Sequence, residues 1–555
     1  FLQRLDHELK NPLTAIRAGL AHMPSNGETA ALSSVEAQVR RMSRLTADTT
    51  QIKAAAGSAL AIGQSGEQKD MRRVGHVDLQ GRSAYHPNFV EYQDGRVVAF
   101  VGTHSGSAPN PLKPGSPIEA NGVMIIDVTD PKNPVETYHI PVPGGQSQSV
   151  RMCKGEDLPN GTPGRMYMMR NVQGGGIAIS GYEVWDVTDI RAPFLVSELR
   201  AIRNTHKHWW ECNTGIAYLP GSKDVDAATG QRWRVGQQMM VVDWNNPSQP
   251  PIYIRTFGLP GAEPDGVGPT PPTLHGAIST WEHPQKGMRL ARGATADDAV
   301  GNRIYAAWGV GDNGVLTVID RKKLLPPSHG GTWTGDPDRP TVADLNDATT
   351  VRLDMSNDQG GHSSFPVFGM KPKSYGCFTE YKTRDIVLLA SESTANRCNE
   401  APHWSFVVDV TIENSKNASS GPPPLGAQQN PWQGPMVLST MHVDPRDGEK
   451  YPRGNYCTRG ARFGVHSSEE NFTNPFYGRV TFLAYFTGGV RAWDIREPHA
   501  PKEIAFYVPE NNAFTASSGY MTNNLEVDNR GYIYAGDRAK GGLYILEYDG
   551  PIPLD

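Results

Sequence analysis

The sequence predicts an all-β fold, a seven-bladed β-propeller, preceded by a short α-helical hairpin. An apolar pair, an acidic residue and a turn recur seven times along the chain. Strand-like runs flank these turns, and 59 glycines and 44 prolines among 555 residues supply further turns. Several short strands per repeating unit, with turn residues between them, are typical of propeller blades.

Residues 1–55 differ from the rest of the chain. Their leucines recur at three- and four-residue steps, as at Leu2, Leu5 and Leu9, which is the spacing of an amphipathic helix. A polar break at Pro24–Gly27 separates two such stretches. We therefore expect a helical hairpin over 1–55 and a linker over 56–70.

Within the first helix, the run His7-Glu-Leu-Lys-Asn-Pro-Leu13 resembles the phosphoacceptor box of sensor histidine kinases. The resemblance implies that His7 accepts a phosphoryl group and that the hairpin forms a homodimer. The sequence has no Gly-rich ATP-binding half downstream, so we interpret the hairpin as a fused or vestigial segment.

The propeller is predicted over 71–555. Strand-like runs precede the acidic turns, as at Arg96–Val101, and follow them, as at Val135–Ile140. Met71–Asp78 has no blade of its own, and we expect it to complete the seventh blade and close the ring. Longer units predict insertions over 284–300, 325–350 and 412–435. The acidic turns stand at Asp127, Asp186, Asp243, Asp320, Asp409, Asp494 and Glu547.

The repeats resemble the bacterial LVIVD-repeat proteins, best at Gly122–Val135 and Gly488–Pro498. The resemblance covers about residues 72–550 and implies a propeller. That family has no single activity, so function must be argued from a site.

Histidines stand near the predicted start of the innermost strand in five blades. Neutral imidazoles on separate rigid strands suit Fe, Cu or Zn. We predict His86, His208, His275, His362 and His466 as metal ligands, and Glu470, Glu211 and His206 as catalytic or ligand-orienting residues. The arrangement is similar to the histidine-ligated propellers of carotenoid-cleaving oxygenases and of the selenium-binding group.

These residues favour a metal-dependent oxidoreductase or oxygenase, with iron preferred, that acts on a small organic molecule in the axial channel. One alternative is a non-catalytic propeller that binds a protein or carbohydrate partner. Another is a zinc-type hydrolase or lyase. No G-x-S-x-G elbow, Walker loop or H-E-x-x-H motif occurs in the sequence.

The composition limits the partners. The net charge is −5, from 53 basic and 58 acidic residues, which gives no electrostatic footprint for nucleic acid. No apolar run reaches the roughly 18 residues of a membrane span.

The kinase-like hairpin favours the cytoplasm, whereas a periplasmic or secreted location fits the repeats. Five cysteines without a C-x-x-C spacing indicate no disulfide framework, and we expect Cys377 and Cys398 to pair only in an oxidising compartment.

Overall fold

The computed structural model describes residues 67–223, 233–293, 295–377, 382–413, 434–516 and 519–554. The predicted hairpin over 1–55 lies outside the described residues, as does most of the predicted linker over 56–70.

Short β-strands dominate the described residues. In chain order they are β1 Glu67–Lys69, β2 Met71–Val77, β3 Ala84–Glu91, β4 Val97–Thr103, β5 Ser107–Pro109, β6 Ile118–Ala120, β7 Gly122–Asp127, β8 Val135–Pro141, β9 Val150–Lys154, β10 Met166–Val172, β11 Gly181–Asp186, β12 Phe194–Arg200, β13 Ile202–Arg203, β14 Trp209–Trp210, β15 Ile216–Lys223, β16 Gln238–Asp243, β17 Ile252–Phe257, β18 Leu274–Ser279, β19 Arg303–Trp308, β20 Val315–Asp320, β21 Thr349–Asp354, β22 Ser363–Met370, β23 Arg384–Ala390, β24 Ser405–Asp409, β25 Met436–Met441, β26 Phe463–Ser468, β27 Val480–Phe486, β28 Val490–Asp494, β29 Lys502–Val508, β30 Thr522–Val527, β31 Ile533–Asp537 and β32 Gly542–Tyr548. Among the described residues the α-helices are α1 Arg321–Leu324 and α2 Val342–Ala348. None of the described helices is long and apolar enough to cross a membrane.

Antiparallel ladders join these strands into the blades of a β-propeller. Among the described residues, the sets in order are β3-β4-β7-β8, β9 to β12, β14 to β17, β18 to β21, β22 to β25, β26 to β29, and β30-β31-β32-β2. The sixth and seventh sets touch through one bridge, Phe486 to Thr522. The predicted all-β propeller class is therefore confirmed.

The ring closes as the sequence predicts. β2 pairs antiparallel with β32, from Met71 opposite Tyr548 to Val77 opposite Leu543. An N-terminal strand thus completes the last blade and covers an edge that would otherwise be exposed. β1, inside the predicted linker, pairs with the outer strand β29, so the propeller begins before residue 71.

The recurring acidic residue has a local cause. In each of five repeats the aspartate carboxylate accepts a hydrogen bond from the backbone N–H two residues later, at 2.9 to 3.1 Å, which is an Asx turn. These residues are Asp127, Asp186, Asp243, Asp409 and Asp494. In the fourth blade Asp320 instead accepts from Lys323 N and caps α1.

The apolar core lies between neighbouring blades. Val98, Phe100 and Ile125 of the first blade pack with Met166 and Met168 of the second, and all five are buried. Packing of this kind fixes each blade against the next, so that the innermost strands of all blades converge on one axis.

Two disulfides correct the cysteine prediction. Cys153 pairs with Cys212 and Cys398 with Cys457, each with a Cα–Cα distance of 5.3 Å, while Cys377 is free and exposed. The expected pairing of Cys377 with Cys398 is therefore wrong. Both pairs are 59 residues apart, close to one blade repeat, because each joins neighbouring blades.

Candidate metal centre

Four imidazoles form a row on the propeller axis. His206, His275, His362 and His466 come from the third to the sixth blade in order. Their ring centroids are separated by 4.4, 3.7 and 4.1 Å along the row. The innermost strands converge here, so residues at equivalent positions of successive blades become neighbours.

Tyr85, at the start of β3, faces this row from the first blade. Its ring centroid lies 5.7 Å from that of His206 and 5.8 Å from that of His466. Its hydroxyl is 3.3 Å from His275 Nε2 and 3.5 Å from His206 Nε2. Burial raises the pKa of Tyr85 well above 10, so the hydroxyl keeps its proton and can donate it in a hydrogen bond.

The protonation of His206 follows from its partners. His206 Nδ1 lies 2.9 Å from Gln148 Oε1, an acceptor, so the Nδ1 proton is donated there. His206 Nε2 then carries the lone pair and accepts from His275 Nε2, 2.8 Å away. The buried Nδ1 of His275 has no hydrogen bond of acceptable geometry among the described residues.

A carboxylate completes a set of potential ligands at the other end of the row. Glu392 Oε2 is 3.8 Å from His362 Nε2, and Glu392 Oε1 is 3.7 Å from His466 Nε2. The three ligand atoms lie within 4.8 Å of one another. A metal ion about 2.1 Å from each donor would place neighbouring donors about 3.0 to 3.4 Å apart. The two glutamate–histidine distances would then shorten by less than about 1 Å.

Burial keeps these histidines neutral. His362 is fully buried and His466 nearly so, and neither ring nitrogen of either residue has a hydrogen bond of acceptable geometry among the described residues. Burial lowers the pKa of both imidazoles well below 6.5, and it lowers that of His206 to about 3. Unpaired buried polar atoms cost free energy, whereas neutral imidazoles are the form that binds metal.

The structure places two of the predicted ligands outside the row. His208 Nε2 lies 3.3 Å from the Met169 carbonyl, and its ring stands edge-on to Tyr182 of the second blade. His86 Nε2 lies 3.8 Å from Glu526 Oε2. In the third blade it is therefore His206, and not His208, that contacts His275.

The two predicted catalytic glutamates have other partners. Glu470 contacts the buried cations Arg151 and Lys207, whose charges act against burial and lower its pKa to about 2. Glu211 accepts from Arg321 at 2.7 and 2.9 Å and from Tyr218 at 2.9 Å. Both carboxylates neutralise buried cations, and this accounts for their positions without a role beside a metal.

Sequence reasoning missed Glu392 and did not assign a role to Tyr85. Glu392 follows β23, the second strand of the fifth blade, whereas the predicted ligands stand at or near innermost strands. The second strand is antiparallel to the first, so its end lies beside the start of the innermost strand, where the histidines are. A glutamate two residues beyond such a buried strand is the signal that could have identified it.

A separate cavity lies among the third and fourth blades. Its volume is about 680 Å³, and its lining includes Trp281, Asp243, Asn302 and Arg321. The guanidinium carbon of Arg321 stands 4.1 Å from the centroid of the Trp281 ring. Asp243 belongs to an acidic turn, so this cavity opens at the end of the blades opposite to the histidine row.

No protein-family model and no curated protein matches the chain. Solved structures similar to it include the C-terminal WD40 domain of Sif2, at 8% identity and a TM-score of 0.39 over 88% of this chain and 100% of that one. The Dos1 propeller matches at 9% and 0.36, over 86% and 96%. A chain of the mitotic checkpoint complex matches at 7% and 0.38, over 88% and 97%. At these TM-scores the likenesses carry no argument about function.

Proposed function

We propose that this propeller binds one transition metal ion on its axis through His362, His466 and Glu392, and that it uses the ion in an oxidoreductase or oxygenase reaction on a small organic molecule. The observation that carries the proposal is the convergence of these three buried donors within 4.8 Å, with both histidines lacking other hydrogen bonds of acceptable geometry in the described part of the chain.

The donor set favours iron. Two histidines and one carboxylate leave coordination positions open, and this combination is characteristic of non-haem Fe(II) oxygenases. Copper and zinc also accept imidazole and carboxylate ligands and remain alternatives. A metal with open positions can bind and polarise an oxygen-bearing molecule.

The surrounding residues have definable tasks around such a centre. The Tyr85 hydroxyl is a protonated donor on the axis, and it can hold an oxygen atom of a bound molecule in place. His275 stands between His206 and His362 in the row. Burial of His275, His362 and His466 keeps bulk water away from the reacting atoms.

Elemental analysis tests metal binding directly. We expect about one equivalent of Fe, Cu or Zn per chain in the purified protein, and its loss in the His362→Ala/His466→Ala double variant. His139→Gln is a control, because His139 is a buried histidine on the outer strand β8 that pairs with a carboxylate, Glu119, at 2.8 Å. A wild-type protein without metal, also after incubation with each ion, would overturn the proposal.

The identity of the metal then selects the reaction. Iron or copper together with metal-dependent oxygen consumption supports the oxidoreductase. Zinc without redox activity supports the hydrolase or lyase alternative instead.

A non-catalytic binding propeller is the second candidate, and the cavity beside Trp281 favours it. A volume of about 680 Å³ lies within the range of small-ligand sites, and the half-buried Trp281 ring with nearby carboxylate and amide groups suits a carbohydrate. Trp281→Ala should abolish binding of a glycan identified on an array, whereas His466→Ala should not. Loss of the same glycan in His466→Ala alone would contradict this candidate.

We also propose that the repeats belong with the LVIVD-repeat proteins and that the chain works in an oxidising compartment. Five equivalent Asx turns support the first proposal. The two disulfides support the second and count against the cytoplasm, because disulfides persist mainly in secreted and periplasmic proteins.

A further inference from the structure

Two arginines stand beside the axial carboxylate at the histidine end of the propeller. Arg462, just before β26, donates from Nη1 to Glu392 Oε1 at 2.8 Å and to the Ser393 carbonyl at 3.3 Å. Arg538, just after β31, has Nη1 3.7 Å from the same Glu392 oxygen and 3.5 Å from Asn523 Oδ1. Both side chains retain partial solvent contact, at 21% and 25% exposure, whereas Glu392 is 11% exposed.

Glu392 is flanked by two cations at this end of the propeller. Two guanidinium groups share one carboxylate, and burial together with the charge of Arg462 lowers the pKa of Arg538. Glu470 does not neutralise either arginine, because it already faces Arg151 and Lys207. Two unit charges of like sign in a partly desolvated site repel each other by several times the energy found in water.

The contacts of Arg538 leave most of its hydrogen-bonding capacity unused. A guanidinium has five N–H donors in a planar fork. Among the described residues, the Arg538 guanidinium has polar contacts with Asn523 and Glu392, and both distances are 3.5 Å or longer. Its charge nevertheless reaches the row, since it lowers the pKa of His206, His362 and His466.

We propose that Arg462 and Arg538 bind the carboxylate of an anionic substrate, so that the molecule is held at the mouth of the axis with its remaining part directed at the histidine row. Arg–carboxylate pairs form two parallel charge-assisted hydrogen bonds, and such pairs fix orientation as well as position. The inference rests on the proposed function in that it names the substrate class of that site: a small organic acid.

The geometry couples the two sites. Glu392 Oε1, which accepts from Arg462, also lies 3.7 Å from His466 Nε2. If Glu392 shares its charge with a metal ion, both arginines lose part of their counter-charge and attract an external anion more strongly. We therefore expect the organic acid to bind more tightly to the metal-loaded protein than to the metal-free protein.

Titration calorimetry with benzoate and its neutral counterpart benzamide tests the inference. Benzoate should bind at least tenfold more tightly than benzamide, and Arg538→Gln or Arg462→Gln should each weaken benzoate at least tenfold. Arg446→Gln is the control, because Arg446 forms an exposed pair with Asp444. Circular dichroism and a thermal melt establish that each variant is folded.

The outcomes separate this inference from the metal proposal. Equal binding of benzoate and benzamide, or benzoate binding that both arginine variants retain, overturns the carboxylate site. Benzoate binding that needs the metal and ignores both arginines assigns the acid to the ion instead, and also overturns it. Arginine-dependent benzoate binding to a protein that takes up no metal sustains the anion site and overturns the metal proposal.

Discussion

Glu470→Gln distinguishes a structural carboxylate from a catalytic one. Glu470 is 2% exposed, and the two cations that it contacts, Arg151 and Lys207, are 8% and 2% exposed. Removing its charge leaves both cations buried without the carboxylate that they share. Breaking a buried ion pair costs about 3 to 5 kcal/mol.

The pKa of Glu470 gives an independent magnitude. Burial acts to raise it, but Lys207 and Arg151 outweigh burial and lower it from 4.5 to about 2. At 1.36 kcal/mol per pH unit, this shift corresponds to about 3 kcal/mol of favourable interaction with the charged form. The two figures agree in order of magnitude.

Scanning calorimetry measures the effect. The unfolding entropy is about 2.1 cal/mol/K per residue, or about 1 kcal/mol/K for a propeller of this size. Glu470→Gln should therefore lower Tm by about 3 to 5 °C. Asp444→Asn, which removes an exposed pair with Arg446, should change Tm by less than about 1 °C.

A second substitution tests whether the loss of stability in Glu470→Gln comes from leaving Arg151 and Lys207 without a carboxylate. Lys207→Met leaves one cation opposite one carboxylate, so we expect a smaller decrease in Tm than for Glu470→Gln. In both variants the metal content should match that of the wild type. An unchanged Tm together with lost activity in Glu470→Gln would refute this reasoning and restore the catalytic role that the sequence predicts.

Three further predictions concern the scaffold. A thiol titration of the native oxidised protein should find one thiol, that of Cys377, and three or more thiols would contradict the pairing. Cys153→Ser/Cys212→Ser should lower the free energy of unfolding by about 4 kcal/mol, because the disulfide closes a loop of 59 residues. Gly75→Ala should lower Tm by several degrees, because a Cβ there would lie 2.0 Å from the Pro131 carbonyl oxygen and disturb the closing strand β2. Gly287→Ala is the control, and it should leave Tm unchanged because the space around Gly287 is open. Burial raises the pKa of Glu282 from 4.5 to about 7, so the stability that the protonated form contributes is lost as pH rises from about 4.5 to 7. Glu282→Gln should therefore be more stable than the wild type by about 3 kcal/mol at pH 8 and by less than about 1 kcal/mol at pH 5. A gain that is the same at both pH values excludes the titration.

The repeat and its closure could be predicted because their causes are local. An aspartate after an apolar pair forms an Asx turn with its own backbone two residues on, as Asp127 and Asp494 do, whatever the rest of the chain does. Met71–Val77 was recognisable as a spare strand, because the last repeat lacked a partner for its own final strand. The histidines were recognisable because each stands at or near the start of the innermost strand of its blade.

Only the tertiary structure decided which of those histidines meet. His206 and His208 are two residues apart, yet the first contacts His275 and the second turns to Met169. Glu392 reaches His466 across a blade boundary, and Cys398 reaches Cys457 in the same way. These contacts depend on how far each blade is rotated about the axis and how deeply its innermost strand is set. Packing between blades determines both quantities, and no local sequence pattern records them.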